Sequence, residues 1–218
     1  MIIAIDGPAG SGKTTVSRLL AKQLGISYLD TGALYRVLTL KALEENINLN
    51  DGETLQKLAS AMNVKIEGER IYLDDREVTV EIRAPLIDKN ISQVASHPQV
   101  REVMVNLQRK IAYCKDYVVE GRDITTVVFP HADYKFYLDA DFNERLQRRY
   151  KELKEKGLSV SWEHLEEQLR KRDEADFTRK VAPLKKAEDA IYIDTTNLTL
   201  SEVVNKLLSY IKKKTIFR

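Results

Sequence analysis

The sequence predicts an α/β fold of three layers, a parallel sheet flanked by helices, with a small antiparallel insertion and a helical lid. Three observations predict it: an apolar strand running into a glycine-rich loop and a helix at the start, repeated strand–helix alternation afterwards, and one interruption by short alternating strands.

Each element follows from its residues. Residues 2–5 form an apolar run bounded by Asp-Gly-Pro, the pattern of a strand buried on both faces, and 13–24 carry Val16, Leu19, Leu20 and Leu24 at helical spacing before Gly25. "ISYLD" reads as a second strand, with helices expected from Thr31 to about Glu45 and from about Gly52 to Met62. Across 63–80, "VKIEGERIYLDDREVTV" alternates around the turn signals Glu-Gly-Glu and Asp-Asp, and "EIRAPLIDKNISQVA" reads as a helical return. A helix from about Pro98 to Tyr113 precedes two buried strands, "DYVVEG" and "ADYKFYLDA". Charged helices are expected over 143–156 and from 161 to about 174, then a last strand in "AIYIDTT" and an amphipathic helix from Leu200. The organisation expected is a single domain over 1–218, with a core of 1–62 and 98–218, the insertion at about 63–97 and the lid at about 143–180.

Composition narrows the function classes. The net charge of +2 comes from 35 basic and 33 acidic residues that are interspersed, which does not mark a nucleic-acid binder. No window has the length of a membrane span, and "MIIAI" is too short for a secretory segment, so a cytoplasmic, soluble protein is expected. Cys114 is the single cysteine and is read as a buried structural thiol. His97, His131 and His164 have no partner at metal spacing and are read as surface or capping groups, while Trp162 and the tyrosines are read as packing groups.

The chemistry starts in the glycine-rich loop. Gly7, Pro8, Ala9, Gly10, Ser11, Gly12, Lys13 and Thr14 match G-x-x-x-x-G-K-[ST] at every fixed position, between a strand and a helix. Such a P-loop turns backbone N–H groups around the phosphates of ATP, with Lys13 reaching the β and γ oxygens, Thr14 a ligand of Mg²⁺ and Thr15 also placed on the ATP phosphates. The motif by itself leaves open whether the phosphoryl passes to a small acceptor or to water. Glu120, ending the "YVVE" strand, is a candidate metal contact, with a plain strand-end carboxylate as the competing reading. Arg145 and Arg149, one turn apart, are expected to approach ATP from the lid, a solvated helix face being the alternative.

Beyond the loop, four stretches carry arginine: "LDTGALYR" (29–36), "SQVASHPQVR" (92–101), "EGRDITTVVFP" (120–130) and "RKRDEADFTR" (170–179). Guanidinium groups suit an acceptor that brings its own phosphate. The phosphate loop followed by these stretches, with "KVAPLKKAEDAIYIDTT" after the last and the antiparallel insertion before the second, resembles the bacterial cytidylate kinases from Ile2 to about residue 210. The resemblance implies transfer of the ATP γ-phosphoryl to CMP or dCMP. It places Thr31 and Arg36 on the acceptor nucleotide, Ser92, Arg101 and Asp123 on its base, Arg122 and Arg179 on its phosphate, and Arg172 and Asp176 near its sugar. Lys13, Arg122 and Arg179 are the residues expected to carry catalysis. Many family members have Ser where Thr31 stands, and Thr keeps the hydroxyl. Ala175 and Phe177 stand where the family often has further arginines, so no extra phosphate contact is assigned there.

Cytosine fits this set chemically. Its N4 amino group can donate to a carboxylate such as Asp123, while N3 or O2 can accept from a guanidinium such as Arg101; uracil reverses the N3 and position-4 groups.

Overall fold

The structure is a computed structural model, and it describes residues 1–113, 115–155 and 157–216, with side chains as far as Ile211. Cys114 therefore lies outside the described residues. By contacts the chain divides into two compact units, 1–28 with 115–218, and 29–114.

The first unit is built on a five-stranded sheet. Strands β1 (Ile2–Asp6), β2 (Ser27–Asp30), β6 (Tyr117–Gly121), β7 (Tyr134–Asp139) and β8 (Ile191–Asp194) lie in the order β2-β6-β1-β7-β8. The pairings β1 with β6, β1 with β7 and β7 with β8 are parallel. Ile3, Ile5, Val118, Phe136, Leu138 and Ile193 are fully buried, so the near-continuous apolar runs mark strands covered on both faces. Helix α1 (Lys13–Leu24) packs Val16, Leu20 and Ala21 into this core and α8 (Leu200–Ile216) packs Val203, Val204 and Leu207. Parallel register brings Glu120 opposite Ile5 and Gly121 opposite Asp6, so the ends of β1 and β6 are level where the phosphate loop starts.

Helices α6 (Phe142–Glu155) and α7 (Trp162–Thr178) complete this unit and share a small core of Leu146, Leu165 and Leu169, with the Tyr150 ring edge-on to Trp162. Two features depart from the sequence reading. Helix α7 runs to Thr178 rather than stopping near 174, because the buried carboxylates Asp173 and Asp176 both find guanidinium partners, Arg145 and Arg122, and hold its last turns down. After β6, residues 124–128 form a π-helical turn, although "ITTVV" is β-branched throughout: the Asp6 carboxylate accepts from the backbone N–H of Ile124 and Thr125 and from the Thr125 hydroxyl.

The second unit contains α2 (Thr31–Glu44), α3 (Gly52–Ala61), strands β3 (Val64–Glu67), β4 (Arg70–Leu73) and β5 (Arg76–Glu77), α4 (Pro85–Ser96) and α5 (Pro98–Ala112). The strands form an antiparallel sheet, β3-β4-β5. Asp74 and Asp75 both adopt positive φ, +47° and +67°, which is what a two-residue hairpin turn requires and what Asp tolerates. The expected helical return is divided: a 3₁₀ turn over Glu81–Arg83 ends at extended Ala84, since Pro85 disfavours a helical residue before it and then opens α4. Leu34, Leu38, Leu55, Ile82, Val94, Val100 and Met104 form its core. His97 stands at the N-cap position of α5 without capping it through its side chain, and its Nε2 lies 2.8 Å from the Leu49 carbonyl oxygen.

Candidate active site

The phosphate loop joins β1 to α1. No side chain caps the N-terminus of α1, whose cap residue is Gly12, so its first-turn amides are kept for a ligand. Two glycines are dictated by their surroundings. A Cβ on Gly7 would stand 2.0 Å from the Leu138 carbonyl oxygen of β7, and one on Gly10, whose φ is +78°, would stand 2.8 Å from the Arg145 carbonyl oxygen. The loop thus lies directly against β7 and the start of α6.

Lys13 is 6% exposed and its Nζ donates to the Pro8 carbonyl oxygen at 3.0 Å, bending the amine back over its own loop. Burial first, then the neighbouring Arg122 guanidinium, push its pKa down to about 7; Glu120 and Asp176 oppose the fall. A cation this destabilised is tuned to gain from anionic phosphate oxygens. Thr14 is half-buried and Thr15 exposed on the first turn of α1. Ser11 is fully buried; its carbonyl accepts from the Thr195 hydroxyl at 3.2 Å, tying the loop to the end of β8.

Glu120 is 2% exposed and accepts from the Tyr28 hydroxyl at 2.5 Å. The next residues form a charged cluster. Arg122 Nε donates to Asp176 Oδ2 at 2.6 Å, while Arg179 lies 3.7 Å from both Asp176 Oδ1 and Asp123 Oδ1. Burial alone would raise the Asp176 carboxyl, but Arg122, Arg172 and Arg179 hold it below the usual carboxylate range. The last stretch of the sequence thus converges with "EGRD" in one place, and the fields of Arg122, Arg172, Glu120 and Asp176 all reach Lys13.

Arg145 differs from the expectation of a lid group sharing a face with Arg149. It is 7% exposed, and its guanidinium donates to the carbonyls of Ala140 (3.1 Å) and Ala9 (3.0 Å) and pairs with Asp173 at 2.6 Å. Arg149 instead pairs with Glu152 on its own helix. Arg148, unmarked in the sequence reading, donates to the Thr195 hydroxyl (3.0 Å) and carbonyl (2.7 Å), with Nη1 3.8 Å from where a Gly12 Cβ would stand. Asp6, Tyr28, Asp173 and Thr195 were also missed; only their three-dimensional partners distinguish them from ordinary polar residues.

The remaining candidates belong to the second unit. Thr31 is buried at the start of α2, after Asp30, which caps the helix through the Ala33 amide. Arg36 donates to the Ile82 carbonyl at 3.1 Å and pairs with Asp88. Ser92 is half-buried on α4. Arg101, 3% exposed, donates to the Ala95 carbonyl at 3.1 Å, and its guanidinium lies 5.4 Å from the centre of the Tyr35 ring.

A parallel sheet with a phosphate loop after β1 and a guanidinium–carboxylate cluster beside the loop lysine defines a P-loop nucleotide-binding site. A family model described as cytidylate kinase matches residues 3–213, and the chain belongs to that family. It is 51% identical to the cytidylate kinase of Caldanaerobacter subterraneus subsp. tengcongensis, over 98% of this chain and 95% of the relative. It is 47% identical to that of Fusobacterium nucleatum, over 98% of each, and 44% identical to that of Clostridium botulinum, over 97% of each. Among solved structures the fold is similar to an uncharacterized protein from Eubacterium ventriosum, with a TM-score of 0.52 at 15% identity over 97% of this chain and 98% of that one. It is likewise similar to TT1252 from Thermus thermophilus, with a TM-score of 0.50 at 20% identity over 98% and 97%.

Proposed function

We infer that this chain is an ATP-dependent nucleoside monophosphate kinase that transfers the γ-phosphoryl group of ATP to CMP or dCMP, giving CDP or dCDP and ADP. Membership of the cytidylate kinase family supports the reading, and the observation that carries it in the structure is the Arg122–Asp176–Arg179 cluster, whose Arg122 and Asp176 act on the loop lysine.

An oxygen of the acceptor phosphate attacks Pγ, and the bond from Pγ to the β,γ-bridging oxygen breaks, leaving ADP. A phosphate oxygen needs no strong base, so no protein nucleophile or base is assigned, and positioning and charge neutralisation supply the catalysis. Lys13 holds the β and γ oxygens, with Gly7 to Thr15 around the phosphates. Arg122 and Arg179 exchange the Asp176 carboxylate for the acceptor phosphate, Arg172 and Asp176 border the sugar, and Asp123 accepts from cytosine N4. Thr31, Arg36, Ser92 and Arg101 are proposed as acceptor contacts from the sequence correspondence alone. Arg145 serves ATP through the Ala9 carbonyl of the loop, and Arg149 remains a proposed lid contact.

Mg²⁺ suits the oxygen donors available. Among the described residues no cluster of three or more acidic, His or Cys groups could hold a metal. Thr14 and Glu120 would hold the ion together with nucleotide oxygens and water, with Glu120 oriented by Tyr28. When bound it supplies charge neutralisation on the β and γ oxygens.

We further propose that about 63–97 acts as the acceptor-binding insertion on the core of 1–62 and 98–218, that about 143–180 acts as the lid, and that the protein is a cytoplasmic monomer with no nucleic-acid or membrane partner. No helix among the described residues is long and apolar enough to cross a membrane.

The test is ADP release from ATP and Mg²⁺ with no acceptor, CMP, dCMP, UMP, AMP or GMP. Turnover that requires CMP or dCMP is expected. Equal turnover without acceptor would return the loop to an NTPase, and equal use of UMP would make the acceptor a general pyrimidine nucleotide.

A further inference from the structure

Helix α7 carries two buried carboxylates three residues apart, and each is tied to a different side of the reaction. Asp176 pairs with Arg122 at 2.6 Å, on the side proposed for the acceptor phosphate. Asp173 pairs with Arg145 at 2.6 Å, and the same Arg145 nitrogen, Nη1, donates to the Ala9 carbonyl of the phosphate loop at 3.0 Å. Residues three apart in a helix lie on one face, so a shift of α7 at Asp176 must also act at Asp173.

The Asp173–Arg145 contact is buried, with the two side chains 11% and 8% exposed, and Phe142 closes it from the side, its ring centre 5.3 Å from the Arg145 guanidinium. Asp173 Oδ1 has no hydrogen-bond partner among the described residues although it is inaccessible to solvent. Its field also reaches Arg122. A buried carboxylate with one oxygen unsatisfied is costly to hold, and a more hydrogen-bonded arrangement would be favoured when its partner Arg145 moves with the phosphate loop.

We propose that Asp173 is a positioning residue that couples the two substrates: through Arg145 it links the acceptor cluster on α7 to the Ala9 carbonyl of the phosphate loop, so that each substrate tightens the site for the other. The inference rests on the acceptor and donor assignments above. It asks of Asp173 no contact with either substrate.

The experiment is calorimetric titration of CMP into the full chain, with and without Mg²⁺ and a β,γ-imido analogue of ATP. Wild-type protein binds CMP at least about fivefold more tightly with the analogue present, the lower end of ordinary coupling. In Asp173→Asn that ratio falls below about twofold while CMP affinity without the analogue changes less than about threefold. The exposed neighbour Glu174 serves as control, and Glu174→Ala keeps the wild-type ratio. Should Asp173→Asn fail to fold, Asp173→Ser, which also removes the carboxylate and leaves Arg145 in place, is read in the same way. A wild-type ratio of one, or a variant that keeps the full ratio, overturns the inference while leaving the kinase reading in place; a wild-type protein that does not bind CMP overturns the acceptor assignment and the inference with it. A purely packing role would weaken both titrations together and leave their ratio unchanged.

Discussion

Arg122 and Asp176 form a partly buried ion pair, Nε to Oδ2 at 2.6 Å, between the end of β6 and the last turns of α7. The guanidinium assigned to the acceptor phosphate is held ready by a carboxylate that phosphate can replace. Asp176→Asn keeps the shape but removes the charge that orients both Arg122 and Arg179. It should lower kcat/KM for CMP by about 10- to 100-fold, with the KM for ATP changed far less, read by steady-state assay with each substrate varied. The Asp176 pKa is depressed, so its stabilisation is fully present above the ordinary 3.8 and is lost as pH falls through the folded value. Urea midpoints of wild type and variant should therefore converge in strong acid.

Lys13 is proposed for the β and γ phosphates of ATP and Arg179 for the acceptor phosphate. Lys13→Met should reduce kcat by at least about 100-fold, as for loss of one preorganised charge-stabilising group, and Arg179→Ala should do the same while leaving affinity for the ATP analogue within a few-fold. Equal losses of analogue affinity in both variants would place Arg179 on the donor instead.

Asp6 gathers two backbone N–H groups and a hydroxyl from Ile124 and Thr125. Asp6→Asn has an acceptor for one of these amides only, and should cost about 1–3 kcal/mol, seen as a lower urea midpoint. Burial pushes the Asp6 carboxyl up to about 6, opposed by those hydrogen bonds. A raised carboxyl stabilises most below the ordinary 3.8 and loses that contribution as pH rises through about 6. Asp6→Asn should flatten that part of the stability profile.

Gly10→Ala places a methyl 2.8 Å from the Arg145 carbonyl oxygen at a φ of +78°. The strain of about 1–2 kcal/mol falls on the contact between loop and α6. The variant should raise the KM for ATP while the affinity for CMP alone stays unchanged.

Asp123→Asn should narrow the preference for CMP over UMP, since an amide can donate to uracil O4 where a carboxylate leaves it unmatched. The expected change is about 10-fold or more in the ratio of kcat/KM values, the equivalent of one unpaired buried polar group. An unchanged ratio would remove Asp123 from base recognition.

The phosphate loop was legible because its motif is contiguous and its neighbours are a buried strand and a helix. The hairpin turn at Asp74–Asp75 was legible for the same reason. The roles of Arg145 and Asp173 were not, because the partners stand 28 residues apart on different helices and the other acceptors are backbone carbonyls. Helical spacing linked Arg145 to Arg149, yet burial separates them: one is enclosed by the loop, the other pairs along its own helix. The π-helical turn after β6 had no local signal, since β-branched residues there are held by a carboxylate from β1. In each case the missing information was a long-range polar contact, while the apolar periodicity identified the main strands and helices.

The most direct test of the account is ³¹P NMR of the purified protein with ATP, Mg²⁺ and CMP. The γ resonance of ATP should be lost as the resonances of ADP and CDP grow together, with inorganic phosphate absent and no change when CMP is omitted. Release of inorganic phosphate without formation of CDP would contradict it.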